Sequence, residues 1–342
     1  MKSLVWQGPE EMTVEDMAEP GADSGGVVLR VGSAGICGSE IEGYLGRMGN
    51  RTPPLVMGHE FAGTIVEVGN GVSEEWVGKK ATVNPLLSCG ECRMCRAGMD
   101  NLCARRTLVG IQHPGGFAEY VAVPESCLTE VPGSLDVSAA ALAEPLANGV
   151  HVARLGLSRG PVESAVVVGA GTIGLMCLQS VVLSGVADVS VVEPYEARRE
   201  HAREFGASAV FASAGEAKEY LDGRTEGFGA DLVVDAVGAG ETRRAGAELS
   251  RPGGSVVMIG LHEDETSVGF HDVIRRQVAL QGSYAYTKDD FAQAVAWISS
   301  GEAGIGEMAS PLPLEHGPGA FADLVRGPSE QIKVFLAEPE SK

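Results

Sequence analysis

Hydrophobic and polar positions change their pattern twice along this chain. Over the first 150 residues, short apolar runs are broken repeatedly by Gly and Pro. VVLRVGSAG (27–35), EFAGTIVEVG (60–69) and FAEYVAVP (117–124) carry the β-branched and aromatic content of strands. Near residue 160 the runs become continuous. SAVVVGAG (164–171) is apolar throughout, as in a strand buried on both faces of a parallel sheet. A helical segment follows from Thr172 to Leu183, then a strand at VSVVEP (189–194) and a charged helix at YEARREHAREFG (195–206) that stops at Gly206. AVFA (209–212), a further helical stretch, DLVVDAVG (231–238), GSVVMIG (254–260) and VALQGSYA (278–285) continue the alternation. Strand and helix alternating at this spacing predict an α/β fold with a doubly wound parallel sheet. In the tail, DDFAQAVAWISSG (289–301) has the three-and-four apolar spacing of a helix, and IKVFLAE (332–338) reads as a last strand. The expected domains are an irregular β-rich one over 1–150, a doubly wound one over 151–286, and a C-terminal segment over 287–342.

Length agrees with two domains, since 342 residues exceed what one hydrophobic core usually serves. The 47 glycines are about twice the typical 7% usage, so many positions are tight turns or close backbone approaches. A formal charge of −20 argues against a nucleic-acid or anionic-lipid partner. There is no run of about 18 apolar residues and no apolar leader at the N-terminus, so neither a membrane span nor a signal peptide is expected, and the reading is cytoplasmic. In that compartment seven cysteines are read as metal ligands or buried thiols rather than disulfides.

The first candidate chemistry is Gly169-Ala170-Gly171-Thr172-Ile173-Gly174, a G-x-G-x-x-G between an apolar strand and a helix. Gly169 permits the turn, Gly171 lets backbone approach a pyrophosphate, and Gly174 allows close helix–strand packing. The helix start at Thr172 and Ile173 supplies free N–H groups and a positive dipole end. Glu193, 19 residues beyond Gly174, ends the next strand. Its carboxylate suits the two ribose hydroxyls and repels a 2′-phosphate, favouring NAD over NADP. Arg198 and Arg199, a turn further on, could soften that preference.

Cys89, Cys92, Cys95 and Cys103 form C-x2-C-x2-C-x7-C, which matches a closed tetrahedral structural zinc site in a lobe spanning about 86–106. An iron–sulfur cluster is the alternative. Arg93, Arg96, Arg105 and Arg106 are placed to offset the thiolates. Three other fragments, GICGSE (35–40), GHE (58–60) and AEPL (143–146), supply one Cys, one His and one or two carboxylates, a donor set for a zinc with an open position. Spacing alone does not bring them together.

Taken in order, GICGSE, GHEFAG, the Cys89–Cys103 cluster, GGFAEY (115–120), AEPLA and GAGTIG resemble the medium-chain zinc-dependent alcohol dehydrogenases over nearly the whole chain. Glu144 in EPL is similar to the polyol branch of sorbitol and threonine dehydrogenases. The resemblance implies a GroES-like catalytic domain made from the N-terminal part and the tail, with a Rossmann domain inserted between them. It implies a catalytic zinc on Cys37 and His59, with Glu60 or Glu144 next, besides the structural zinc. It implies NAD-linked interconversion of a secondary alcohol and a ketone by hydride transfer, with Ser39 receiving the substrate proton. Ser39 could instead be a cap or turn residue. Glu40 stands where the family often has Asp, and its longer arm changes the hydrogen bond behind the metal. Glu42 stands where a His often ends the proton relay, so either Glu42 or water takes the proton. Tyr44 and Phe117 fall at positions that line the family's substrate pocket and are equally plausible core aromatics.

The implied partner is a small alcohol or ketone of polyol, sugar, amino alcohol or cyclitol type, and Arg47 and Arg51 keep sugar phosphates open. A homodimer or homotetramer is implied through paired sheet edges, with 254–270 as the candidate edge. Cys127 and Cys177 read as buried thiols and His151 as structural. Two other readings compete. One is a zinc-free quinone or enoyl reductase of the same superfamily, against which the metal-type residues count. The other is a non-catalytic NAD- and zinc-binding protein, against which an open metal site counts.

Overall fold

The computed structural model describes residues 1–304, 311–327 and 331–338. They pack as two compact units, Met1–Glu144 with Thr287–Gly301 and the described C-terminal residues, and Pro145–Tyr286 with residues 302–304.

The first unit is organised by one long strand, Gly26–Gly35. Its buried apolar positions pair antiparallel with Glu60–Val68, from Val27 opposite Val68 to Gly35 opposite Glu60. The other side of the strand pairs with Tyr120–Pro124 and, at its far end, with Phe335–Leu336. Lys80–Val83 and Leu128–Glu130 extend the sheet. A smaller sheet of Glu11–Asp16, Lys2–Gly8 and Leu55–Val56 accompanies it, and Leu4, Phe61, Ile65, Phe117, Phe321 and Leu336 share one hydrophobic core. This register has a chemical consequence. With Gly35 opposite both Glu60 and Phe335, three segments remote in sequence leave the sheet at the same end, carrying Cys37, His59 and Lys333 with them.

Several expected strands are shorter than their apolar runs, among them 278–285, which is a strand only over Ala279–Gly282. The run from Phe117 forms a strand only from Tyr120, because residues 115–117 spend their backbone N–H groups on Val56, Gly58 and Met57. In the last run, only Phe335–Leu336 is paired as a strand.

The second unit is the doubly wound sheet. Its strands in chain order are Ser164–Val168, Asp188–Val192, Ala209–Phe211, Ala230–Asp235, Ser250–Met258 and Ala279–Gly282. All are parallel, in the spatial order third, second, first, fourth, fifth, sixth, the Rossmann arrangement. Residues 164–168 are all buried, as their continuous apolarity requires. The candidate oligomer edge needs correction. Ser250–Met258 is an inner strand, because the helix Phe270–Arg276 carries the chain over to Ala279–Gly282, and that last strand is the edge. Among the described residues no helix is long and apolar enough to cross a membrane.

Candidate active site and metal centres

Cys37 ends the turn after Gly35 and occupies the N-cap position of the helix Gly38–Tyr44. Glu60 begins the neighbouring strand and His59 immediately precedes it. The turn before them depends on Gly58, at φ +99, where a Cβ would lie 2.8 Å from the Phe117 nitrogen. One donor atom each from Cys37, His59 and Glu60 lies within 4.8 Å of the other two. Tetrahedral zinc with bonds of about 2.0–2.3 Å holds its ligand atoms about 3.3–3.8 Å apart, so a small closure suffices.

Glu40 stands behind this cluster, completely buried. Its Oε1 accepts hydrogen bonds from the Gly58 nitrogen at 2.9 Å and the His59 nitrogen at 3.0 Å, and lies 2.8 Å from His59 Nδ1. Its Oε2 accepts from the Cys37 nitrogen at 2.9 Å. An ionised carboxylate can only accept, so Nδ1 carries the proton and Nε2 is the ring atom available to a metal. Burial opposes charge on Glu40, but the facing His59 and the Cys37 N–H outweigh it and its pKa is lowered. Burial likewise opposes charge on His59, but the neighbouring Glu40 carboxylate and Cys37 sulfur outweigh it, raising its pKa well above the usual value. The longer arm of Glu40 thus reaches both sides of the site. Glu40→Gln, which removes the charge and offers an N–H where Nδ1 points, is expected to reduce metal affinity or turnover by about 10–100-fold, measured by metal titration and initial rates.

Lys333, which precedes the C-terminal strand, was not singled out by any motif. It is buried, and its ammonium pairs with Glu60 Oε2. Burial alone lowers a lysine pKa, yet Glu60, Cys37 and Glu40 together raise this one. Glu60 Oε1 is equally buried and makes no hydrogen bond. An orphaned carboxylate oxygen beside a thiol and an imidazole is what a metal cation would satisfy.

The remaining candidates are dispersed. Ser39 is half-buried in the first turn of the Gly38–Tyr44 helix, whose N-cap position belongs to Cys37. Glu42 pairs with Arg47 at 3.5 Å. Glu144 is buried in the first turn of the helix Ala143–Leu157, and its carboxylate is not within the 4.8 Å group. Tyr44 and Phe117 both lie in the core and pack their rings on Phe321, with centroids 5.4 and 5.9 Å away. The Tyr44 hydroxyl donates to the Glu10 carbonyl at 3.0 Å. These are the contacts of core aromatics. Arg51 is buried across Gly43, and its Nε and Nη2 have no hydrogen-bond partner. His151 lies 3.0 Å from Arg154 Nη2. Burial pushes the Cys127 thiol up to about 11 and the Cys177 thiol up to about 12, as inert thiols require.

The second cysteine group is a compact lobe. Its four sulfurs lie within 4.8 Å of one another. Cys89–Cys103 is 3.4 Å, Cys92–Cys95 3.5 Å and Cys89–Cys95 3.8 Å. A tetrahedron with metal–sulfur bonds of about 2.3 Å has edges of about 3.8 Å, so the set fits zinc. All four are free thiols. The backbone N–H of Glu91 brings Cys89 down to about 6, and desolvation pushes Cys95 up to about 11. Of the four nearby arginines, Arg105 reaches the Cys89 sulfur at 3.3 Å, while Arg96 and Arg106 donate to the Glu91 and Cys103 carbonyls.

In the second unit, Gly169 turns at φ +95. A Cβ on Gly174 would lie 1.9 Å from the Gly169 carbonyl, whereas one on Gly171 would meet nothing within 4 Å. The open side of Gly171 is therefore space that a close-lying ligand can use, and the helix starting at Thr172 and Ile173 points its N-terminus there. Glu193 is buried; its Oε2 accepts from the Ala170 nitrogen at 2.9 Å and its Oε1 from the Tyr195 nitrogen at 3.0 Å. Arg199 donates to the Glu193 and Pro194 carbonyls at 2.7 Å each, and Arg198 lies over the Tyr195 ring at 5.7 Å. Arg199 is thus tied to the loop itself.

Comparison with known proteins agrees with both units. The alcohol dehydrogenase GroES-like domain matches residues 23–133, and the zinc-binding dehydrogenase domain matches 172–300. A 2-dehydro-3-deoxy-L-galactonate 5-dehydrogenase of Pseudoalteromonas atlantica is 33% identical over 308 residues, covering 89% of each chain. A D-xylulose reductase A of Aspergillus oryzae is 30% identical over 347 residues, covering 98% of this chain and 96% of the relative. A crystal structure from Sinorhizobium meliloti, described as a zinc-binding dehydrogenase bound to NADP, superposes with a TM-score of 0.89 at 30% identity over 98% of both chains. The fold is a GroES-like domain with a Rossmann domain, and the chain belongs to the medium-chain zinc-dependent alcohol dehydrogenase family, in its polyol dehydrogenase branch, as an NAD(P)-linked oxidoreductase.

Proposed function

We propose that this enzyme uses NAD and one catalytic zinc to interconvert a secondary alcohol with its ketone on a polyol, sugar, amino alcohol or cyclitol, and that a second, structural zinc sits in the four-cysteine lobe. The observation that carries this reading is the three-donor cluster of half-buried Cys37 with buried His59 and Glu60, Glu60 Oε1 having no protein partner. Cys37, His59 and Glu60 would hold the catalytic metal, and Glu144 is the carboxylate in reserve. The relatives named for D-xylulose and 2-dehydro-3-deoxy-L-galactonate favour sugar-like substrates.

When bound, zinc supplies the Lewis acidity that makes a hydroxyl proton leave, and the dinucleotide supplies the hydride acceptor. The chain's own residues do the rest. Glu40 holds the His59 tautomer. Ser39, on the first helical turn, takes the substrate proton. Glu42 is three residues on along the same helix face, so the proton passes to its carboxylate or to water. Gly171 and the helix N-terminus at Thr172 receive the pyrophosphate. Glu193 keeps lone pairs for the ribose hydroxyls beyond those given to Ala170 and Tyr195. Its charge disfavours a 2′-phosphate, while Arg198 stands nearby as the cation that would welcome one. Glu193→Gln is expected to shift the NAD-to-NADP ratio of kcat/KM towards NADP by about tenfold, or about 1.4 kcal/mol, read from initial rates with each cofactor.

The test of the whole reading is reduction of NAD or NADP across neutral polyols, sugars, sugar phosphates, amino alcohols and cyclitols, with and without a zinc chelator. Chelator-sensitive turnover on one class is expected. Turnover indifferent to metal removal refutes the catalytic zinc.

A further inference from the structure

We propose that Lys333 is a positioning residue that keeps Glu60 a weak, one-oxygen donor at the metal centre. The inference rests on the proposed catalytic site and adds a residue to it. Backbone pairing delivers Lys333 there: the Ile36 nitrogen donates to the Val334 carbonyl at 2.9 Å, and Phe335 lies opposite Gly35. The ammonium and the Glu60 carboxylate are 3% and 1% exposed, so water screens their attraction little. Their contact is packed onto the Gly35 backbone, where a Cβ would come within 2.7 Å of both Glu60 Oε2 and Lys333 Cε. The pair therefore has a built seat, and glycine at 35 is what leaves room for it.

The electrostatic consequence has a definite sign. Partners behind a metal ligand usually strengthen it: a carboxylate behind a histidine raises the basicity of the ring, and losing it weakens metal binding. A cation on a ligating carboxylate does the reverse. It withdraws negative charge from Glu60 through its contact with Oε2, and Oε1, which has no protein partner, is the oxygen left freest for the metal. Glu60 then forms the most easily broken of the three bonds, and the site keeps a position it can yield to substrate. If Lys333 merely propped Glu60 in place, its removal would loosen the metal. If it restrains Glu60, its removal tightens the metal.

The experiment measures release of the catalytic metal from the full-length protein to excess EDTA. The relevant kinetic phase is the one missing in Cys37→Ser. Lys333→Met is expected to slow that phase about tenfold, and Lys333→Arg to restore it towards the native rate. In the cobalt-substituted protein, Lys333→Met is expected to weaken the visible d–d absorption, because a second carboxylate oxygen raises the coordination number. Should Lys333→Met fail to fold, Lys333→Gln, whose amide reaches less far and carries no charge, has the same expected direction. Release as fast as or faster than native from a folded variant overturns the inference while leaving the zinc site standing. Absence of any phase dependent on Cys37 overturns the zinc site itself, and the inference with it.

Discussion

Cys37→Ser is expected to lower kcat/KM by a factor on the order of 10⁴ while dinucleotide binding stays near native. Bound zinc lowers the pKa of water from about 15.7 to about 7, and a pKa unit corresponds to about 1.36 kcal/mol. If the reaction harvests even half of that change in acidity, losing the ion costs about four powers of ten. Cys37 is the one soft donor in the cluster with His59 and Glu60, and a serine hydroxyl is a poor substitute for a thiolate. The Gly169–Gly174 loop and Glu193 belong to the other compact unit, so binding measured by NADH fluorescence should persist. Metal analysis should show loss of one equivalent. Near-native turnover in Cys37→Ser lacking that equivalent would remove the metal from the reaction.

Cys92→Ser is expected to remove the other metal equivalent and unfold the lobe around it. This segment has little apolar core: it consists of the four-residue helix Arg93–Arg96, the 3₁₀ turn Asp100–Leu102 and turns at Gly90 and Gly98. Of the four cysteines only Cys103 is fully buried. Apparent binding energies of structural zinc reach about 10–16 kcal/mol in small zinc-folded peptides, so a metal here can dominate the local stability. The expected results are a thermal transition lowered by several degrees and rapid proteolytic cleavage within 89–103. Unchanged proteolysis in the variant would mean that the lobe holds itself together without the metal.

Much of this fold and site is legible in the sequence. The continuous apolarity of residues 164–168 could be satisfied only by burial on both faces, and the glycine loop sits where that strand gives way to the helix Thr172–Leu183. The four-cysteine spacing identified its own lobe. Cys37, His59 and Glu60 were named only because their motifs occur in a familiar order, since no local spacing rule brings Gly35 opposite Glu60. Lys333 was invisible for the same reason. A lone lysine before a short apolar run reads as solvated, and only pairing of Phe335 with Gly35 buries it against Glu60. Tyr44 and Phe117 show the reverse. Their positions suggested a pocket, but Phe321, from a helix late in the chain, closes over both rings. The sheet edge was misplaced because an apolar strand does not reveal its spatial rank; a further strand, Ala279–Gly282, pairs outside it.

The most direct test of the central claim follows a deuterium atom. The zinc-loaded and chelator-treated enzymes are each given NAD and a secondary alcohol from the reactive class, labelled at the carbinol carbon. Transfer of deuterium to one face of the nicotinamide ring, abolished by the chelator and restored by zinc, is the predicted result. Reduced cofactor free of deuterium, or equal transfer after metal removal from the Cys37–His59–Glu60 site, would contradict it.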